Sequence, residues 1–288
     1  MLRSLLFVPG DSDRKLAKAP TIAADALILD LEDAVVPERK AAARRNVADY
    51  LRQHKAGDRQ SVWVRINALD TDEAARDLAA VVPAAPDGLV LPKARSARQV
   101  RTLADQLDAL EADSGQTAGR IGIIPVVTET AAAVFQLDGY TPDLPRLRAL
   151  TWGAEDLSVV IGATRTRDER GCWLPVFQQV QSLALLAAGA ARVPAIDTIY
   201  GQFTDGDGLK RIAEQARQQG FTGMLAIHPD QVPIINAAFA PNADEIAHAR
   251  RIVQKFANAD GAGTIELDGR MLDEPHLRRA QRILDACE

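Results

Sequence analysis

Ala26-Leu27-Ile28-Leu29-Asp30-Leu31-Glu32-Asp33, residues 26–33, is an apolar run that stops abruptly in carboxylates. Such a run reads as a parallel strand covered on both faces, with its polar end at the strand's carboxyl tip. Working outward, the same pattern recurs. Leu5-Leu6-Phe7-Val8 precedes it, closed by Pro9-Gly10. Val62–Ile66, Gly88–Leu91, Ile121–Val127, Ala149–Gly153, Ala195–Tyr200 and Gly223–Ile227 follow it. Amphipathic helical stretches lie between them at 12–19, 38–53, 71–82, 96–112, 130–137, 176–191, 207–219 and 231–239, with an extra loop after Gly153. About eight βα units in about 240 residues predict an α/β fold, a (β/α)8 TIM barrel spanning residues 1–240. An open doubly wound sheet calls for a glycine fingerprint after its first strand, and Pro9-Gly10-Asp11-Ser12 has no GxGxxG.

Residues 241–288 read differently. A helix at Asp244–Ala257 is broken by Gly261-Ala262-Gly263, a hairpin over Thr264–Met271 turns at Asp268-Gly269, and a last helix covers Glu274–Cys287. This is a C-terminal lid or oligomerisation extension on a complete barrel.

Composition narrows the function classes. The 288 residues are 47% hydrophobic and 25% charged, with net charge -5. That is an ordinary globular balance with a mildly acidic surface, so no nucleic acid is expected as partner. The apolar amino-terminal run is too short for a signal peptide, and no stretch approaches the ~20 residues of a membrane span. Cys172 and Cys287 make neither a disulfide framework nor a CxxC metal site. A cytoplasmic protein without membrane contact is the expectation.

Catalytic groups of such barrels sit where strands end. Here those positions hold Glu32 and Asp33, Arg65, Lys93, Glu129, Asp156 and His228. Asp33 and Asp156 have an alternative use as helix caps. Arg65 has one as the ion-pair partner of Asp30 or Glu32, and Lys93 reads as an ion-pair partner rather than a Schiff-base lysine. Glu129 follows an apolar run directly, and a carboxylate in a barrel mouth needs a cation or hydrogen bonds to offset its desolvation. Oxygen donors without clustered His or Cys suit Mg2+ or Mn2+. Glu129 and Asp156 on adjacent strands are the candidate ligands, with Glu32 and Asp33 placed to hold metal-bound water.

The motifs RSLLFVPG (Arg3–Gly10), DALILDLEDAV (Asp25–Val35), VRIN (Val64–Asn67), GLVLPK (Gly88–Lys93), PVVTETAAAV (Pro125–Val134), WGAEDLS (Trp152–Ser158) and GMLAIHPDQV (Gly223–Val232) occur in this order, followed by GAGTIELDGRMLDEPHLRRA at Gly261–Ala280. Together they resemble the CitE-like branch of the HpcH/HpaI aldolase and citrate lyase β-subunit family, over nearly the whole chain. The resemblance implies a Mg2+-dependent barrel, a homotrimer or hexamer, that cleaves or forms a carbon–carbon bond in citramalyl-, malyl- or citryl-CoA, giving acetyl-CoA and a small oxo-acid. It places the metal on Glu129 and Asp156, makes Arg65 the residue for the thioester or carboxylate oxygen, counts Glu129 among the substrate contacts, and makes Asp273 a lid aspartate that reaches a neighbouring subunit's site. Some relatives carry a basic substrate residue in the first loop; Arg14 and Lys15 both fit. Arg165, Arg167 and Arg170 read either as a solvated loop or as contacts for CoA phosphates. Two related activities share this set: a malyl-CoA-type thioester hydrolase, and a citrate lyase β-subunit acting on an acyl-carrier-bound substrate.

Overall fold

The computed structural model describes residues 2–54, 60–259, 263–285 and 287. They divide into two units, Leu2–Asn236 and Ala237–Glu288. Gly261 and Ala262, part of the expected helix break, lie outside the described residues.

The larger unit is the expected barrel. Its strands are β1 (Ser4–Pro9), β2 (Ala26–Asp30), β3 (Ser61–Arg65), β4 (Gly88–Leu91), β5 (Gly122–Pro125), β6 (Leu150–Thr151), β7 (Ala195–Asp197) and β8 (Gly223–Ala226). All strand pairs are parallel, in the order β5-β4-β3-β2-β1-β8-β7-β6. Parallel bridges from Ile123 to Leu147 and from Val126 to Thr151 join the two ends of that order and close the cylinder.

The strands are buried on both faces because their outer sides meet helices and their inner sides meet one another. Inside, Leu5, Ile28, Trp63, Val90, Ile124, Val126, Ile196 and Leu225 form one cluster, with Phe7 and Ile199 packed against it. The period-2 alternation of a strand then decides where the polar tips point. Ile28 faces in, so Asp30 does too; Trp63 faces in, so Arg65 does too. Asp30 and Arg65 are register partners, and both therefore rise from the core into the mouth.

Two helical expectations change. The segment 130–137 forms only a short helix, Ala131–Val134, before a 3-10 turn at Leu137–Gly139. The segment after Gly153, read as loop, instead forms the helix Glu155–Val160. Its carboxylates Glu155 and Asp156 occupy the first turn, where free backbone N–H groups favour negative charge. Asp156 is thus inside the helix, with Ala154 at the cap position.

The smaller unit contains the helix Ala243–Ala257, closed at its start by a reciprocal capping box between Asn242 and Glu245. Strands β9 (Thr264–Leu267) and β10 (Arg270–Asp273) form the hairpin, and the helix Glu274–Asp285 follows. Asp268 and Gly269 both adopt positive φ, as a two-residue turn of this kind requires. Ile252, Ile265, Leu267, Leu272 and Ala280 form the unit's own core. Among the described residues no helix is long and apolar enough to cross a membrane.

Candidate active site

The carboxyl ends of the strands surround a cavity of about 540 Å3. Its base is the top of the barrel core, through Phe7, Val126, Ile199 and Leu225. Its walls carry Arg65, Glu129, Glu155 and Asp156, and its rim carries Arg14, Lys15, Lys18 and His228.

Glu129 is 5% exposed. One of its oxygens, Oε2, accepts a hydrogen bond from the Lys93 backbone N–H. Burial, reinforced by Glu32 and Asp156 and opposed by Lys93, pushes its carboxyl up to about 8. Gly153 lies directly beneath it: a Cβ there would stand 2.7 Å from Glu129 Cγ, so the close approach requires glycine. Asp156 is more open, at 37% side-chain exposure, and its Oδ1 lies 3.8 Å from Lys93 Nζ.

The opposite wall is an ion-pair network. Arg65 Nε and Nη2 donate to the two oxygens of Asp30 at 2.8 and 2.6 Å, a bidentate fork. Arg65 Nη1 stands 3.1 Å from Glu32 Oε2, and the guanidinium lies over the Phe7 ring at 4.7 Å. That Glu32 oxygen is buried and receives no well-aligned hydrogen bond. Lys93 Nζ reaches Glu32 Oε1 at 2.5 Å and Asp33 Oδ2 at 3.3 Å. Lys93 itself takes φ 51, a left-handed conformation rare outside glycine, which turns its N–H toward Glu129 while its side chain crosses to Glu32. Burial disfavours the Arg65 and Lys93 cations, yet their hydrogen-bonded carboxylates hold both pKa values above the ordinary range. Burial also raises Glu32, against Arg65 and Lys93. A protonated Lys93 locked to Glu32 is an ion-pair lysine, as its sequence context implied.

The donor set is compatible with a hard cation. Among the described residues no three His, Cys, Asp or Glu side chains form a closed cage. Mg2+ needs no such cage, since it takes one or two carboxylates and completes its shell with water and substrate oxygens. Glu129 is ionised only at a cost, because burial and two neighbouring carboxylates oppose its charge; a divalent cation bound at these carboxylates would offset that cost.

Of the residues singled out from the sequence, Arg14, Lys15, Arg65, Glu129 and Asp156 line this cavity. Glu32, Asp33 and Lys93 stand beside it through their ion pairs. Asp273 belongs to the other unit, where its Oδ1 pairs with His276 Nδ1 at 2.6 Å. The solvated-loop reading does not describe Arg167: its guanidinium stacks on Trp173 at 3.3 Å, and burial lowers its pKa to about 10. Lys18 was missed, although its position four residues after Arg14 puts both on one helix face. His228 stacks on Phe203, their ring centroids 5.1 Å apart.

The family model for HpcH/HpaI aldolase/citrate lyase matches residues 3–229. A (3S)-malyl-CoA thioesterase of Cereibacter sphaeroides is 35% identical over 288 residues, covering 99% of this chain and 94% of that protein. Citrate lyase subunit beta of Escherichia coli is 32% identical, covering 99% of this chain and 93% of that one. Protein CitE of Mycobacterium tuberculosis, solved in complex with magnesium, acetoacetate and coenzyme A, superposes with a TM-score of 0.81 at 33% identity, covering 99% of this chain and 97% of that one.

Proposed function

Because the chain belongs to the HpcH/HpaI aldolase/citrate lyase family, we propose that it is a Mg2+-dependent lyase of a hydroxyacyl-CoA thioester. The substrate is of the citramalyl-, malyl- or citryl-CoA type, and the products are acetyl-CoA and a small oxo-acid. The carrying observation is that Glu129, Asp156 and Arg65 share one cavity at the strand ends.

Glu129 and Asp156 would hold the cation. When bound, Mg2+ supplies Lewis acidity toward the carbonyl and carboxylate oxygens of the oxo-acid half. As the carbon–carbon bond breaks, the substrate hydroxyl loses its proton to water and becomes the oxo-acid carbonyl, and the electron pair of the broken bond moves into the thioester, leaving an enolate on the two-carbon half. Arg65, fixed by its fork to Asp30, presents positive charge to that enolate oxygen. Asp273, in its protonated form, delivers a proton to the enolate carbon, which completes acetyl-CoA and matches the proton lost from the substrate hydroxyl. Glu32 and Asp33 would accept hydrogen bonds from water near a bound cation, with Lys93 balancing their charge. Arg14, Lys15 and Lys18 make no ion pair among the described residues and crowd one edge of the rim, which supports contacts with CoA phosphates there. The 241–288 extension serves as lid or oligomerisation element of a cytoplasmic homotrimer or hexamer, where Asp273 reaches a neighbouring site.

A second reading has a specific observation in its favour: the Cereibacter relatives are malyl-CoA thioesterases. The same cavity would then bring water to the thioester carbonyl. Product analysis separates the two. Purified protein with Mg2+ and malyl-CoA or citramalyl-CoA should release acetyl-CoA with glyoxylate or pyruvate. Free malate or citramalate with CoA supports hydrolysis instead. If these two thioesters and citryl-CoA all stay intact with Mg2+ present, both readings fail. Turnover only on an acyl-carrier-bound substrate would assign the chain as a citrate lyase β-subunit.

A further inference from the structure

One buried carboxylate beside the cavity has no part in the chemistry above. Asp197 closes β7 and is fully buried. Its Oδ1 accepts hydrogen bonds from the Trp152 indole N–H at 2.6 Å, the Thr198 backbone N–H at 2.9 Å and Gln181 Nε2 at 3.1 Å. The indole contact is short for an N–H···O bond. A wholly buried carboxylate is costly to maintain unless its donors are fixed in place.

What Asp197 holds is the cavity wall. Trp152 is fully buried, lines the cavity, and directly precedes Gly153-Ala154-Glu155-Asp156. Trp173 packs against it, with ring centroids 5.0 Å apart and the planes inclined at 64°. The next residue, Gly153, is gripped from β5: its N–H donates to Thr128 Oγ1 at 3.1 Å, and that hydroxyl donates back to Gly153 O at 3.3 Å. The tip of β6 is therefore clamped from two sides, by Thr128 on the β5 side and by Asp197 on the β7 side. The clamped Gly153 is itself pressed under Glu129, so the tip of β6 and the Glu129 side chain are held against each other.

We infer that Asp197 is a positioning residue, which acts through Trp152 to fix the β6 tip and so the placement of Asp156 relative to Glu129. The inference rests on the proposed assignment of those two carboxylates to Mg2+. The cation is exacting: it demands near-octahedral geometry at about 2.0–2.1 Å, so a shift of a few tenths of an ångström in one ligand weakens binding. Outer partners that orient ligands in this way are typically worth about 10–100-fold in metal affinity.

The test is Mg2+ titration calorimetry on the full-length protein, with thermal unfolding to confirm that each variant is folded. Asp197→Ala and Trp152→Phe should each weaken Mg2+ binding by about 10-fold or more. Asp197→Asn keeps an oxygen acceptor for the indole and should restore affinity to within a few-fold of wild type. The double variant Trp152→Phe/Asp197→Ala should bind no more weakly than the worse single one, since both remove the same link. Wild-type Mg2+ affinity in the folded Trp152→Phe protein, beside lost affinity in Glu129→Ala, sinks the inference and leaves the metal assignment standing. Additive losses in the double variant also sink it. A wild-type protein that takes up no Mg2+ overturns the assignment and the inference together.

Discussion

Mg2+ and a proton compete for Glu129, and the structure sets the terms. Burial, with help from Glu32 and Asp156, pushes this carboxyl up to about 8, against the Lys93 N–H and ammonium. The metal must displace that proton to bind. With a pKa of about 8, roughly one Glu129 in a hundred is ionised at pH 6 and roughly half at pH 8. Apparent Mg2+ affinity should therefore climb about 50-fold over those two pH units and level off near pH 9. A glutamate with an ordinary pKa is already more than about 95% ionised at pH 6 and gives almost no slope. The assay is calorimetric titration of Mg2+ at pH 6, 7, 8 and 9, in two buffers of different ionisation enthalpy. Proton release should approach one per Mg2+ at the acid end and vanish at the alkaline end. Affinity that does not vary with pH, with no proton released at pH 6, would refute the reasoning, as would a Glu129→Gln variant that binds Mg2+ as wild type does.

The metal-free protein should show the linked effect on stability. A carboxyl whose folded pKa is raised contributes stability that is present below about pH 4.5 and lost as pH rises through about 8. Without Mg2+, thermal unfolding should therefore fall across pH 5–8 by on the order of a few kcal/mol, and Mg2+ should restore it; a flat profile contradicts this. Gly153→Ala sets a methyl 2.7 Å from Glu129 Cγ, so Mg2+ binding should weaken about 10-fold or more while the protein stays folded, as calorimetry and circular dichroism will tell. Arg65→Leu leaves Asp30, 1% exposed, without its fork; urea denaturation should show a loss of about 3–5 kcal/mol, and turnover should vanish. Asp273→Ala should abolish turnover of the CoA thioester yet bind Mg2+ normally, and wild-type turnover rules out its proton-transfer role.

The sequence by itself determined the barrel and most of its rim. Apolar runs such as Ala26–Leu31 can be buried on both faces only between helices, so their alternation with helical stretches dictated parallel strands. The polar residues ending each run then had to meet on one face, and Arg65, Glu129 and Asp156 do. The Asp268-Gly269 turn was equally legible, because its backbone conformation is a local property of those residues. Lys18 was readable from helical period alone and was overlooked. Tertiary structure alone decided the rest, because it depends on groups distant in the chain. The carboxylate of Glu129 owes its high pKa to burial and to Glu32 and Asp156. Lys93 takes a left-handed turn because its N–H and its ammonium serve Glu129 and Glu32 on different strands. Arg167 folds back within its own loop onto Trp173 and also faces Tyr200, 33 residues on, and Asp197 meets the Trp152 indole across 45 residues of sequence. Hydrophobic period records which face of an element is buried; which distant group that face meets is fixed only when the cylinder closes.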